Sequence, residues 1–175
     1  MRVETDGFSF DFEDALAAFV FDEKDKTKPT FHGVPMKAVD IVVEFGEAYI
    51  YVEIKNPPDP DGYNEALAVD DGGLKTRREH FNYLKNYLKY KYRDSYLFRH
   101  AEHKIDKPIH YICLLTFEHA LNTVMQKALK RELPVGVASA RWKQAIVESC
   151  QVLNLEKWNK NFPKWPVVRM PAGKA

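Results

Sequence analysis

The chain has 175 residues, 45% of them apolar and 29% charged, with a formal net charge of +1. That composition fits one globular domain with a real core and excludes disordered and collagen-like classes. No apolar run approaches about 18 residues, which excludes a membrane-spanning helix.

Cys113 and Cys150 have no paired spacing and lie in apolar surroundings, which points to buried thiols in a reducing cytoplasm. The start, Met1-Arg2-Val3-Glu4-Thr5-Asp6, lacks the basic region and apolar run of a secretory signal. Charge is uneven along the chain: residues 1–61 carry 14 Asp/Glu against 6 Lys/Arg, and residues 62–175 carry 11 against 20. An acidic part that gathers cations and a basic remainder that meets phosphates suit a protein acting on nucleic acid.

In chain order, Phe8 to Asp25 opens with a predicted helix, capped by Asp11, with Phe12, Leu16, Phe19 and Val20 as its apolar stripe. Glu13 lies on the edge of that stripe, whereas Asp14 points away. Lys24 to Pro35 is a polar connector with a short edge strand expected at Thr30–Val34. Val39 to Asn56 then reads as a two-stranded hairpin around Gly46-Glu47, with glycine placed for a type II′ turn. Pairing Phe45 with Ala48 makes Glu44 meet Tyr49, Val42 meet Tyr51, Asp40 meet Glu53 and Ala38 meet Lys55.

Val39, Ile41, Val43 and Phe45 then share an apolar face with Ile50, Val52 and Ile54, and Asp40, Glu53 and Lys55 share the other. Directly opposed carboxylates repel, so their placement together suggests a cation between them.

Pro57 to Gly73 is a long loop beside this site. Lys75 to about Tyr96 forms a second helix with the apolar line Phe81, Leu84, Leu88 and Tyr92. Arg77, Arg78, Lys85, Lys89, Lys91 and Arg93 surround that line, and Tyr83, Tyr87 and Tyr90 lie on nearly the opposite side. Such a helix either binds phosphates and stacks bases, through Arg77, Arg78, Lys85 and Lys89 above all, or is a solvated charged face.

His100-x-x-His103 has no companion cysteine pair and is not expected to bind zinc. Ile109 to Phe117 is the best candidate for a buried strand, and Ala120 to Glu132 is a clean helix lined by Leu121, Val124, Met125, Ala128 and Leu129. Arg141 to Ile146 reads as a short helical piece and Val147 to Leu155 as a further strand. The tail with Trp158, Phe162 and Trp165 is expected to pack back on the body.

Asp40, a hairpin, and then Glu53-Ile54-Lys55 resemble the PD-(D/E)XK nuclease superfamily, with Val39 where the family name has proline. The resemblance implies an α/β fold of restriction-endonuclease-like αβββαβ type, a mixed sheet flanked by helices, with Thr30–Val34 as first strand. It implies one nuclease-like domain over 1–175, its core at about 8–132, with residues 133–175 packing on it.

The implied activity is Mg²⁺-dependent phosphodiester hydrolysis, with Mn²⁺ able to substitute and DNA as the expected substrate. Asp40, Glu53 and the Ile54 carbonyl would hold the metal, and Lys55 would orient or deprotonate the attacking water. Glu13, following an aromatic in the first helix, is either a further metal ligand or a solvated first-turn residue. The reading of another class is a non-catalytic nuclease-like module that binds nucleic acid or a partner protein. A homodimer is compatible with either, and no membrane partner is expected.

Overall fold

The computed structural model describes residues 1–55, 69–70, 73–74, 77–116, 119–136 and 139–171. Among these residues the elements follow in the order β1 (Arg2–Thr5), β2 (Phe8–Asp11), β3 (Ala17–Val20), β4 (Ile41–Glu44), β5 (Tyr49–Lys55), β6 (Val69–Asp70), β7 (Gly73–Leu74), α1 (Arg77–Ala101), β8 (Ile109–Leu115), α2 (His119–Glu132), β9 (Ser149–Leu153), α3 (Leu155–Asn161) and β10 (Val167–Arg169). The result is an α/β protein with a mixed five-stranded sheet in the order β3-β4-β5-β8-β9. β3, β4 and β5 form an antiparallel meander, while β5, β8 and β9 run parallel. No described helix is long and apolar enough to cross a membrane.

Parallel strands connected by helices are covered on both faces, and β5 is buried along nearly its whole length. Its residues divide with a period of two. Ile50, Val52 and Ile54 join Ile41, Val43, Ile112 and Leu114 against Phe8, Phe10 and Phe12 of the N-terminal hairpin and Trp158 of α3. Tyr49 and Tyr51 face the other way, into a core shared with Leu84, Leu88 and Tyr92 of α1 and with Met125 and Leu129 of α2. Val39 belongs to this helix-side core, not to the face of Ile41 as expected. It precedes the regular part of β4, where its N–H donates to Ser95 Oγ of α1 at 2.8 Å.

The expected first helix is absent. Residues 8–11 and 17–20 are strands, and Leu16, assigned to the buried stripe, is exposed. Asp6 and Gly7 both have positive φ, 50° and 78°, as the two central positions of a type I′ hairpin require. That turn pairs Thr5 with Phe8 and so commits Phe8, Phe10 and Phe12 to period-two alternation. Asp14, with φ 62°, breaks any helix that might have continued.

The first strand of the main sheet is thus Ala17–Val20. Thr30–Val34 contributes only one isolated bridge, Phe31 with Glu23. Arg141 to Ile146 holds a turn, Trp142 N–H donating to Ser139 O, instead of a helical piece. The tail does pack back: Trp158 is fully buried and β10 pairs with β2.

Candidate active site

Over Ile41–Glu44 the hairpin register is the one that the sequence implies, whereas the expected Asp40–Glu53 and Ala38–Lys55 pairings lie beyond the paired part of β4. Ile41 pairs with Val52, Val42 with Tyr51 and Glu44 with Tyr49, and the Asp40 N–H donates to Val52 O at 3.0 Å. Gly46 lacks the positive φ of a type II′ turn. The loop is a bend across which Phe45 N–H donates to Ala48 O at 2.8 Å. The apolar alternation and the two-residue loop hold the register without that turn type.

Asp40 and Glu53 therefore meet at the end of β5, on the side covered by α1, and both are buried. Two bonds fix α1 there. Lys37 N–H donates to Asp94 Oδ2 at 2.9 Å, and the Ser95 hydroxyl receives Val39 N–H while donating to Lys91 O at 2.7 Å. These contacts set the Lys91 side chain, itself buried, over the two carboxylates.

Lys91 Nζ lies 3.4 Å from Asp40 Oδ1, 3.4 Å from Glu53 Oε2 and 3.3 Å from Asp22 Oδ2. Asp22 follows β3 and arrives because β3 pairs with β4. Asp40 Oδ2 accepts the Ile54 N–H at 2.6 Å, and neither oxygen of Glu53 accepts a hydrogen bond. Lys55 Nζ stands 3.6 Å from Glu53 Oε1, donates to the Tyr87 hydroxyl at 3.0 Å and lies 4.2 Å from the centre of that ring.

Burial is the main cause that raises the Asp40 carboxyl above its ordinary range, with the Lys91 ammonium acting against it. Burial and then the Asp40 charge push the Glu53 carboxyl well above its own. For Lys91 and Lys55 burial acts downward, but the carboxylates outweigh it and hold both ammoniums charged. The cluster is short of positive charge on the carboxylate side and contains no neutral lysine.

Glu53 thus holds its proton more tightly in the folded than in the unfolded chain. Its contribution to stability is complete below about pH 4.5, its ordinary value, and is lost as pH rises through the higher folded value. Glu53→Gln should therefore gain melting temperature relative to wild type as pH is raised from about 5 to 8. The limit is ~1.4 kcal/mol per pH unit, and a chain of this length shifts roughly 2–4 °C per kcal/mol. Calorimetric melts of both proteins across that range check it, and a difference that does not grow with pH refutes it.

A cleft of about 410 Å³ opens onto Asp40, lined among others by Glu4, Asp6, Asp22, Glu23, Lys24 and Lys28. Lys24 pairs with Asp22, and Lys28 with Glu23 at 2.6 Å, so carboxylates still prevail on its wall. It is a wall for cations and not for phosphates.

Glu13 is not brought to this site. It is exposed in the loop between β2 and β3, with its N–H directed at Lys164 O of the C-terminal tail. Lys85 and Lys89 are not free on the surface of α1, because both pair with Glu132 of α2, at 3.0 and 2.9 Å. Arg77 and Arg78 belong to the first turn of α1, and their side chains lie outside the described part of the structure, as does most of the loop from Pro57 to Gly73.

Sequence reasoning missed Asp22 and Lys91. The signal for Lys91 is the stripe Leu84-Leu88-Lys91-Ser95, in which the lysine holds an inward position at helical spacing. Asp22 carries no such signal, since only the β3–β4 pairing brings it near. Among the described residues no group of three or more His, Cys, Asp or Glu side chains is gathered closely enough to hold a metal ion as it stands. Lys91 Nζ stands among Asp22, Asp40 and Glu53. Comparison with protein-family models, with curated proteins and with solved structures finds no match to this chain.

Proposed function

We propose that the chain is a metal-dependent nuclease of the PD-(D/E)XK type, hydrolysing phosphodiester bonds of DNA. The observation that carries this reading is the buried Asp40 and Glu53, the first immediately before β4 and the second on its antiparallel neighbour β5, with Lys55 beside Glu53. The main-sheet strands and helix in the order β3-β4-β5-α1-β8 support it, matching the βββαβ part of the αβββαβ order with a β-hairpin in place of the leading helix and the separate β6–β7 pair inserted before α1. The donor set fits a hard divalent cation: carboxylate oxygens, two of them without a hydrogen bond in a dry setting.

Asp40 and Glu53 would hold Mg²⁺, or Mn²⁺, with the Ile54 carbonyl. The ion would polarise the scissile phosphate and lower the pKa of a bound water. Lys55 is held charged and part of its side chain reaches solvent. It serves as a donor that orients the water and faces charge developing on the phosphoryl oxygens, while Tyr87 fixes its direction. A residue held protonated in this way is poorly suited to removing the water's proton.

The second reading, a non-catalytic nuclease-like module, is favoured by one observation: a lysine already stands among the carboxylates. Purified protein incubated with plasmid, linear duplex and single strands, in Mg²⁺, Mn²⁺ or EDTA, separates the two. Strand scission that requires the metal supports the nuclease, and DNA binding without scission in any of these conditions supports the module.

The position of Glu132 makes a further test of the interface. Glu132→Gln releases two ammoniums on α1 and should tighten DNA binding at low salt. The salt dependence should steepen by up to ~0.9 for each lysine that then meets a phosphate. Fluorescence anisotropy titrations at several salt concentrations measure this, and an unchanged slope places the DNA elsewhere.

A further inference from the structure

Three carboxylates from three separate segments converge on one buried ammonium at nearly equal distances, 3.3, 3.4 and 3.4 Å. Ion pairs of that kind usually leave each carboxylate with other donors, yet Glu53 is fully buried and neither of its oxygens accepts a hydrogen bond. Among the described residues its compensation comes from two ammoniums, Lys91 at one oxygen and Lys55 at the other. A fixed monovalent cation therefore sits where the field of the carboxylates is strongest, and it leaves Glu53 unsatisfied.

We propose that Lys91 Nζ marks the cation position of an Asp22–Asp40–Glu53 site, with Asp22 as the third protein ligand, and that an entering divalent ion displaces the ammonium. This rests on the nuclease reading above and specifies its metal site. Asp22 takes the place in the ligand set that Glu13, exposed beside the tail, cannot fill. The route is the acidic cleft, whose wall includes both Asp22 and Asp40 and so connects solvent with the cluster.

Displacement is chemically reasonable for a lysine. Its ammonium is a compact point charge on a flexible four-carbon stem, so a rotation of the stem withdraws it without moving the helix. Metal binding then carries the cost of moving a paired charge, and Lys91 tunes affinity downward while keeping the metal-free cluster folded.

The test uses the whole chain and Mn²⁺ as the probe. Calorimetric titration of Lys91→Met and Lys91→Gln should show Mn²⁺ binding tightened by about tenfold or more, the scale on which one charge at this range shifts a neighbouring equilibrium. Asp22→Asn, at a partly exposed position that tolerates the change, should weaken binding by about tenfold or more. Mn²⁺ should also raise the melting temperature of the Lys91 variants by more than it raises that of wild type.

Equal or weaker Mn²⁺ affinity in both Lys91 variants would overturn the displacement, and unchanged affinity in Asp22→Asn would remove Asp22 from the site. Both of those outcomes leave the nuclease reading standing if wild type binds Mn²⁺. Absence of Mn²⁺ binding in wild type and in every Lys91 variant overturns both together. Should neither Lys91 variant fold, Asp22→Asn in the wild-type background still decides the ligand assignment.

Discussion

On the proposed nuclease function, Lys55→Ala is expected to lower metal-dependent DNA cleavage by about 10²–10³-fold, the usual loss when one well-placed donor to developing charge is removed. The substitution leaves Asp40 and Glu53 in place, and Lys91 still compensates Glu53 at 3.4 Å. Mn²⁺ binding should therefore persist, because the change removes a competing positive charge beside Glu53 Oε1. A cleavage assay run beside a Mn²⁺ titration separates the two effects. Cleavage at the wild-type rate would show that Lys55 takes no part in the reaction. Tyr87→Phe makes a graded control, since it deletes only the hydroxyl to which Lys55 donates at 3.0 Å, and its loss in rate should be smaller.

Trp158→Ala should cost about 3–5 kcal/mol of stability, the range for deleting a large aromatic from a core. The indole is fully buried, meets Phe10 edge-on at 5.5 Å, and donates from Nε1 to Trp165 O at 2.7 Å. It thereby joins α3, the N-terminal hairpin and the segment leading to β10. Urea unfolding measures the loss, with Trp142→Ala as comparison at a residue 38% exposed, where a change within ~0.5 kcal/mol is expected. A Trp158→Ala cost below 1 kcal/mol would mean that the tail does not belong to the core.

The centre of the site was legible from residue order alone. Gly46-Glu47 sets a two-residue loop, and strict alternation on both sides leaves one register that keeps Ile41, Val43, Ile50 and Val52 on a common face. The charge on the opposite face gave no indication that α1 closes over it. β5 is central in the sheet, and the aromatic rings of Tyr49 and Tyr51 were the indication that this face is also packed.

The N-terminal segment failed for a different reason. Phe12, Leu16, Phe19 and Val20 fit a helix, while Phe8, Phe10 and Phe12 fit a strand, and both periods are present in one stretch. Asp6-Gly7 decides between them, since its backbone closes a hairpin before any helix could begin. The basic helix shows the limit of composition. Lys85, Lys89 and Lys91 look alike in sequence, yet two bind Glu132 at the α1–α2 seam and the third is buried among carboxylates.

The pairing of β10 with β2 has a consequence for how the chain is made. Val167, Val168 and Arg169 lie opposite Phe10, Ser9 and Phe8, so strands far apart in sequence are immediate neighbours. During translation β2 has only β1 beside it until residues 167–169 leave the ribosome, and Phe8, Phe10 and Phe12 lack Trp158 above them for almost as long. The hairpin must wait, with its phenylalanines accessible to chaperones and to other nascent chains, while the five-stranded sheet assembles. Closure between segments so distant in sequence is entropically slow, which makes this small sheet the natural last step of folding.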